Sequence, residues 1–368
     1  MSMIRRTVFK KSSILTICVF LISCVSLIVL LQARYQNNRW QIERFQAVQL
    51  THSIIRVIKY DAIASQLPET ELQQYLAKSS RSKKKIEPIV EIQLEQRIQQ
   101  AIKELNLGIP IPLIGQPFPP VVLELAKPPK YMVLSPRDRV EHTGGYLLRE
   151  DLKPEQLRRE EQEAEETGVM SAYGAGISGI ATFPSLISDG LPYRQTIFTA
   201  AHEWVHHYLI FFPLGRTYFS DGKVLNETVA DLVAADITRS VLEKYPELHP
   251  ANEIMLRNKP DSTDLKTLRR DVDGLLAEGK VLEAEKLMDN IQVRWCKEYQ
   301  SCPRRINQAY LAWIGQYAYQ PGSTDPVGDQ MRDIRSITGS TEKFLRFVRD
   351  ITSRQELSAL HSELVAAE

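Results

Sequence analysis

Cysteine is scarce in this chain of 368 residues, with four in all, too few for a small disulfide scaffold. An excess of charge is missing as well. The 46 basic residues face 45 acidic ones for a formal net charge of +1, without the basic surplus of a dedicated nucleic-acid binder. With 17 glycines and 20 prolines the chain is neither collagen-like nor of low complexity. No internal repeat is visible. What is present is ordinary for a folded protein: 43% apolar and 25% charged residues, which excludes wholesale disorder. The length corresponds to two or three folded units of about 150 residues each.

One long run carries no charge, residues 12–33, and its core at 14–31 is almost wholly apolar. As a helix it is long enough to cross roughly 30 Å of hydrocarbon. Arg5, Arg6, Lys10 and Lys11 precede it, so the positive-inside rule keeps the N-terminus cytoplasmic and the rest outside. The expectation is a cytoplasmic tail and single-pass cell-membrane anchor over 1–33, held in the lipid bilayer by 12–33. A cleaved signal peptide and a lipoprotein leader ending at Cys24 are the rival readings. An A-x-A-like cleavage site is lacking, and apolar residues continue beyond Cys24. Cys18 and Cys24 fall in this run as inert thiols. Cys296 and Cys302 form the only pair outside it, where a small-loop disulfide and two unlinked thiols are both open.

Residues 34–108 show a broken amphipathic helical pattern: Ile42, Phe45, Val48, Ile54, Ile55 and Ile58, then Ile89, Ile92, Leu94, Ile98, Ile102 and Leu105. Pro68 and the basic run 81–85 interrupt it, and it reads as a stalk or small helical domain. The basic run is a solvated face, with contact to acidic lipid the alternative. Seven prolines between 109 and 130 (Pro110, Pro112, Pro117, Pro119, Pro120, Pro128 and Pro129) forbid regular helix and predict an extended linker or domain-wrapping segment. The remainder, 131–368, is expected to be one domain. Its first helix, 152–166, reads as a heavily charged surface helix started by Pro154 near its first turn. Residues 173–187 carry three glycines before a β-branched, aromatic run and read as a strand pushed to a sheet edge by Pro184. That edge is either ordinary or one whose free backbone groups pair with an extended peptide. From Pro192 onward the pattern is helical apart from loops near 213–222, 245–262, 302–304 and 320–327. Leu265, Leu268, Val272, Leu275 and Leu276 answer Leu282, Leu287, Met288 and Ile291 across Gly279 as a helical hairpin. The fold class is α+β, mostly helical, with a small upstream sheet.

The chemistry concentrates in Thr199-Ala-Ala-His-Glu-Trp-Val-His-His-Tyr-Leu209. On a helix His202 and His206 point from one face, one turn apart, close enough to share an ion. Imidazole nitrogens reach zinc at about 2.0–2.1 Å, a distance that this spacing supports. Glu203 sits one step around, placed to take a proton from a metal-bound water and return it to a leaving amine. Twenty residues separate His206 from Glu227, in Leu225-Asn-Glu-Thr-Val-Ala-Asp231. Glu227 would complete a set of two histidines and one carboxylate with an open fourth position. Asp231, four residues on, is placed to accept the far N–H of a ligating histidine. Asn226-Glu-Thr228 is formally a glycosylation sequon, but a glycan there would block the site. His207 points some 100° from His206 and reads as a solvent-side residue. A donor to a developing oxyanion is expected; Tyr218 is the first candidate, with Tyr310 and Tyr317 behind it.

At these residues the sequence resembles the gluzincin metallopeptidases, the thermolysin-like and aminopeptidase-like clan, whose pattern is H-E-x-x-H, then about 18 to 25 residues, then N-E-x-x-[ASG]-[DSY]. The match spans 200–237, about a tenth of the chain. The resemblance implies a zincin-like fold, a Zn2+ ion held by His202, His206 and Glu227, Glu203 as the base, Asp231 behind the ligands and a peptide or protein substrate. Residues 306–317 and 344–348 look like the C-terminal helices of membrane-associated predicted aminopeptidases. The G-x-M-E-N signature of the large aminopeptidases is absent, which leaves internal and amino-terminal cleavage as alternatives. The expected function is thus a membrane-anchored zinc peptidase. The competing readings are a catalytically silent tethered scaffold of the same fold and an intramembrane protease. The second is opposed by three histidines and a glutamate in a short segment.

Overall fold

A computed structural model of the chain describes residues 38–46, 48–49, 67–77, 86–111, 116–220, 222–248, 259–318 and 320–367. The apolar run 12–33, with Cys18 and Cys24, lies outside the described residues, as do Ile54, Ile55, Ile58 and the basic run 81–85. Among the described residues no helix is long and apolar enough to cross a membrane.

The architecture is α+β and mostly helical, with small sheets. Helices α1 (Glu69–Ala77) and α2 (Glu87–Glu104) come first. The proline-dense stretch then forms a short ribbon, β1 (Ile109–Pro110) with β2 (Pro117–Phe118), and strand β3 (Leu123–Ala126). Strands β4 (Lys130–Pro136), β5 (Gly144–Leu148) and β6 (Met170–Gly176) make one antiparallel sheet in the order β5-β4-β6, with Lys130 opposite both Leu148 and Gly176. Helix α3 (Pro154–Glu165) lies between β5 and β6 in sequence. It is not wholly a surface helix: Glu161 is buried, accepts from the Gly174 amide at 2.7 Å and pairs with Arg304. Strands β7 (Gly179–Ile180) and β8 (Ser185–Ser188) complete a second sheet, β3-β8-β7. β8 runs parallel to β3 and antiparallel to β7. The single edge strand expected over 173–187 is therefore three short strands, with Pro184 in the turn between the last two and β7 at a sheet edge.

The C-terminal half follows as α4 (Tyr193–Leu209), α5 (Pro213–Arg216), α6 (Lys223–Lys244), α7 (Ser262–Ala277), α8 (Val281–Glu298), α9 (Gln308–Gly315), α10 (Val327–Thr338), α11 (Thr341–Val348) and α12 (Arg354–Ala367). Capping fixes several starts: Asp261, Asn307 and Ser340 each accept backbone N–H groups of the turn they precede. The α7–α8 hairpin forms as its spacing predicts, closed by Gly279 at φ 75°. Leu282 is the exception, 76% exposed, because it points about 100° around α8 from Val281, which packs on the hairpin core with Ala284 and Met288. Cys296 and Cys302 are joined by a disulfide near the end of this hairpin.

The main core forms where α4 and α6 pack together. Ile197, Ala201, Trp204 and Val205 of α4 meet Val229, Val233 and Ile237 of α6, and all are buried. Described residues of the segments read from sequence as a stalk or small helical domain and as a linker or domain-wrapping segment contribute to the same core: Leu72, Leu76, Leu94, Ile98, Ile102, Leu123 and Leu125 are buried within it. A ladder of side chains draws the proline-dense segment in. Glu91, Glu95 and Gln99, spaced four apart on α2, accept the amides of Leu125, Leu123 and Val121 at 2.8, 2.9 and 2.9 Å. One helix face thus does for β3 what a neighbouring strand would do, and the acceptors come from some 30 residues upstream. Beneath the paired helices, Trp204 is 1% exposed and donates its indole N–H to the Pro119 carbonyl at 2.8 Å.

Replacing Trp204 by Ala in the full-length chain is expected to remove about 3–5 kcal/mol of stability. Thermal unfolding checks this, and an unchanged midpoint would contradict the packing described.

Candidate metal centre

Helix α4 buries its Ile197, Ala201, Trp204 and Val205 face in the core, which turns His202 and His206 toward α6. On α6, Glu227 and Asp231 look back from one face. The result is a compact group: His202 Nε2 and His206 Nε2 lie 3.0 Å apart, and Glu227 Oε2 lies 3.2 Å from the first and 3.6 Å from the second. One atom from each of the three residues can hold a single metal ion.

The outer ring atoms explain why these donors face inward. His206 Nδ1 is 2.8 Å from Asn226 Oδ1, an oxygen that can only accept, and the Asn226 amide nitrogen donates to the Leu214 carbonyl at 3.4 Å. His202 Nδ1 is 2.9 Å from Asp231 Oδ1. His206 Nδ1 therefore carries a proton, which leaves its Nε2 lone pair facing His202 and the Glu227 carboxylate. A positive charge, either a metal ion or a proton on His202, offsets the crowding of these electron-rich atoms. Four-coordinate zinc with bond lengths of about 2.0–2.1 Å places its ligand atoms roughly 3.3–3.4 Å apart, and the observed separations bracket that value. Two imidazole nitrogens and a carboxylate oxygen are a donor set suited to zinc.

The electrostatics agree. Burial alone would drive His202 below the usual histidine range, but hydrogen bonds to Asp231 and Glu227 outweigh it and raise its pKa well above that range. Burial favours a neutral Glu227, yet the two histidines hold it well below the usual carboxylate range. Both shifts show a site prepared for positive charge.

Glu203 is 7% exposed and lies beside the triad. Burial raises its pKa, with His202 and His206 opposing that shift. Strand β7 passes so close that a Cβ on Gly179 would sit 2.6 Å from Glu203 Oε1 and 2.6 Å from Thr199 Cγ2, so only glycine fits there. The Tyr218 hydroxyl donates to Glu227 Oε1 at 2.5 Å, on the oxygen facing away from the histidines. Burial and that carboxylate raise its pKa far above the usual tyrosine value. Tyr317 also reaches Glu227 and is shifted upward, chiefly by burial. Tyr310 does not join the site; its ring packs edge-on against Tyr173 at 5.2 Å.

His207, expected at the solvent side, is 8% exposed. Its face of α4 meets the β7–β8 turn rather than water: the ring lies 6.0 Å from Phe183. Burial and the neighbouring His206 push its pKa down to about 4. Asn226 is the residue whose part the sequence reading missed. It stands in the motif beside Glu227 but was weighed only as a sequon, although its spacing on α6 puts it against His206. The group opens into a cavity of about 1600 Å³ lined by β7, by the Gly144–Gly145 end of β5, by Tyr131 and Trp313, and by Arg194, Lys223 and Arg239.

Comparison with protein-family models, with curated proteins and with solved structures finds no match to this chain.

The full-length chain is expected to bind about one divalent metal ion, and His206→Ala to abolish the binding, as elemental analysis after desalting would read. Asn226→Ala and Asp231→Ala should each weaken it by about 10–100-fold, because a ligand whose outer nitrogen is unanchored loses its orientation. Equal affinity in wild type and both variants would contradict the orienting roles.

Proposed function

We propose that the chain is a zinc metallopeptidase of the gluzincin type, hydrolysing peptide bonds in a peptide or protein substrate. The observation that carries this reading is the convergence of His202, His206 and Glu227 within 3.0–3.6 Å of one another, with the buried Glu203 beside them. Zinc, when held there, supplies a water of lowered pKa and polarises a carbonyl. The protein does the rest. Glu203 is positioned to accept a proton at its carboxylate and to pass it to the departing amine. Its raised pKa brings it nearer to neutrality, where a proton shuttle works best. Asn226 keeps His206 in the tautomer that leaves Nε2 free, and Asp231 stands 2.9 Å from His202 Nδ1, placed to orient that ring. Tyr218 and Tyr317 crowd Glu227 from the cavity side and are the hydroxyls nearest to where an oxyanion would develop.

Strand β7 supplies the substrate edge in this reading. It pairs with β8 on one side only and lines the cavity over residues 177–181, so an extended peptide can lie along it as an added strand. The requirement for glycine at 179 keeps that peptide within reach of Glu203. A silent scaffold has no use for a buried carboxylate at this place, which favours catalysis over the binding-module alternative. The same proposal has the apolar run 12–33 anchor the chain in the cell membrane, with the catalytic part on the extracytoplasmic side.

Glu203→Gln is expected to lower peptide hydrolysis by about 10²–10⁴-fold while zinc stays bound, since it removes the proton acceptor and spares the ligands. Mass spectrometry of a peptide-library digest reads both the rate and the positions cut. Turnover persisting at the wild-type rate would remove Glu203 from its role.

A further inference from the structure

Three lysine or arginine side chains line the cavity, and two of them have carboxylate partners. Arg194 lies 3.2 Å from Glu247, and Arg239 lies 2.8 Å from Asp236. Lys223 differs. Among the described residues no carboxylate comes within ion-pair distance of its ammonium, although it is half-buried. Its Nζ sits over two aromatic rings instead, 5.9 Å from the centre of Tyr218 and 5.6 Å from that of Tyr317. His142, Tyr131 and Trp313 line the same cavity, with Tyr131 Oη 3.3 Å from His142 Nε2 and the Tyr131 and Trp313 rings 5.8 Å apart. Burial, and then Lys223 itself, push His142 down to about 4, so this ring is neutral near pH 7 and adds no second positive charge. Burial also lowers the Lys223 pKa, against the pull of Glu227.

A lysine ammonium withdrawn from water, short of an acceptor and open to a cavity is costly unless an anion meets it there. The nearest negative group on its own helix is Glu227, one turn on, and the Glu227 carboxylate is committed to the histidines and to Tyr218. We propose that Lys223 forms a carboxylate-binding subsite beside the metal group, so that preferred ligands carry an acidic group within one or two residues of the bond placed at the triad. The assignment of that bond rests on the metallopeptidase reading; the binding of the carboxylate does not. The charge-assisted hydrogen bond gains strength from the aromatic surroundings, which exclude competing water. Either a glutamate or aspartate side chain or a free chain terminus supplies this chemistry.

The test uses the full-length chain loaded with zinc and a set of alanine hexapeptides carrying one Glu or one Gln at each position, each with a free or an amidated C-terminus. Binding is read by titration calorimetry on the Glu203→Gln protein, and cleavage on the protein with Glu203 intact. At the position facing Lys223 the acidic peptide is expected to bind at least tenfold more tightly than its amide twin. In Lys223→Met that ratio should fall to about one, and in Lys223→Arg it should stay above one. A preference confined to the free C-terminus identifies the chain end as the source, and one that follows Glu identifies the side chain. A ratio near one in the protein with Lys223 intact overturns the subsite, as does a preference that survives Lys223→Met. Acid-selective binding without any cleavage would retain the subsite and defeat the peptidase reading; cleavage without acid preference would do the reverse.

Discussion

The close approach of three electron-rich atoms is the constraint on which this structure turns. Two imidazole lone pairs and a carboxylate oxygen are held 3.0–3.6 Å apart, an arrangement that costs free energy wherever no cation or proton offsets it. His206 is held in one tautomer by Asn226, and Asp231 lies 2.9 Å from His202 Nδ1. The two helices are held together as well, since α4 and α6 pack closely and bury Trp204 and Val205 behind the histidines. The packing on one face of α4 therefore holds the donor group together on the other.

The surrounding elements follow from that arrangement. Helix α2 turns a row of polar side chains onto β3, which fixes β3, and with it β8 and β7, against the core. The position of β7 matters because Gly179 touches Glu203; a shift of an ångström there would open or close the space over the carboxylate. His207, on the same helix that bears the donor group, packs against the turn after β7 through Phe183. The cavity beyond is walled by aromatic side chains from segments far apart in sequence, Tyr131, Tyr218, Trp313 and Tyr317.

Much of the centre was legible in the sequence because it depends on helical periodicity. His202 and His206 one turn apart, and Glu227 and Asp231 one turn apart, lie on shared faces whatever the rest of the chain does. Pairing the two helices was the only long-range step. The α7–α8 hairpin was legible for the same reason, save for Leu282, which points away from the contact face. For 109–130 the sequence left a linker and a domain-wrapping segment both open. Its prolines signalled extended chain correctly, but the groups that satisfy its amides sit on α2, and no local pattern announces a strand completed by Glu91, Glu95 and Gln99. His207 misled for a related reason: rotation about the helix says which way it points, and only tertiary structure says that the β7–β8 turn lies there instead of water. Asn226 was hidden by a competing motif.

X-ray absorption at the zinc edge of the zinc-loaded full-length chain addresses the central claim most directly. A single four-coordinate environment with two imidazole nitrogens and oxygen donors at about 2.0–2.1 Å is the predicted spectrum, losing one imidazole contribution in His206→Ala. A spectrum without imidazole scattering, or one unaltered when His206 or Glu227 is replaced, would show that these three residues do not share an ion.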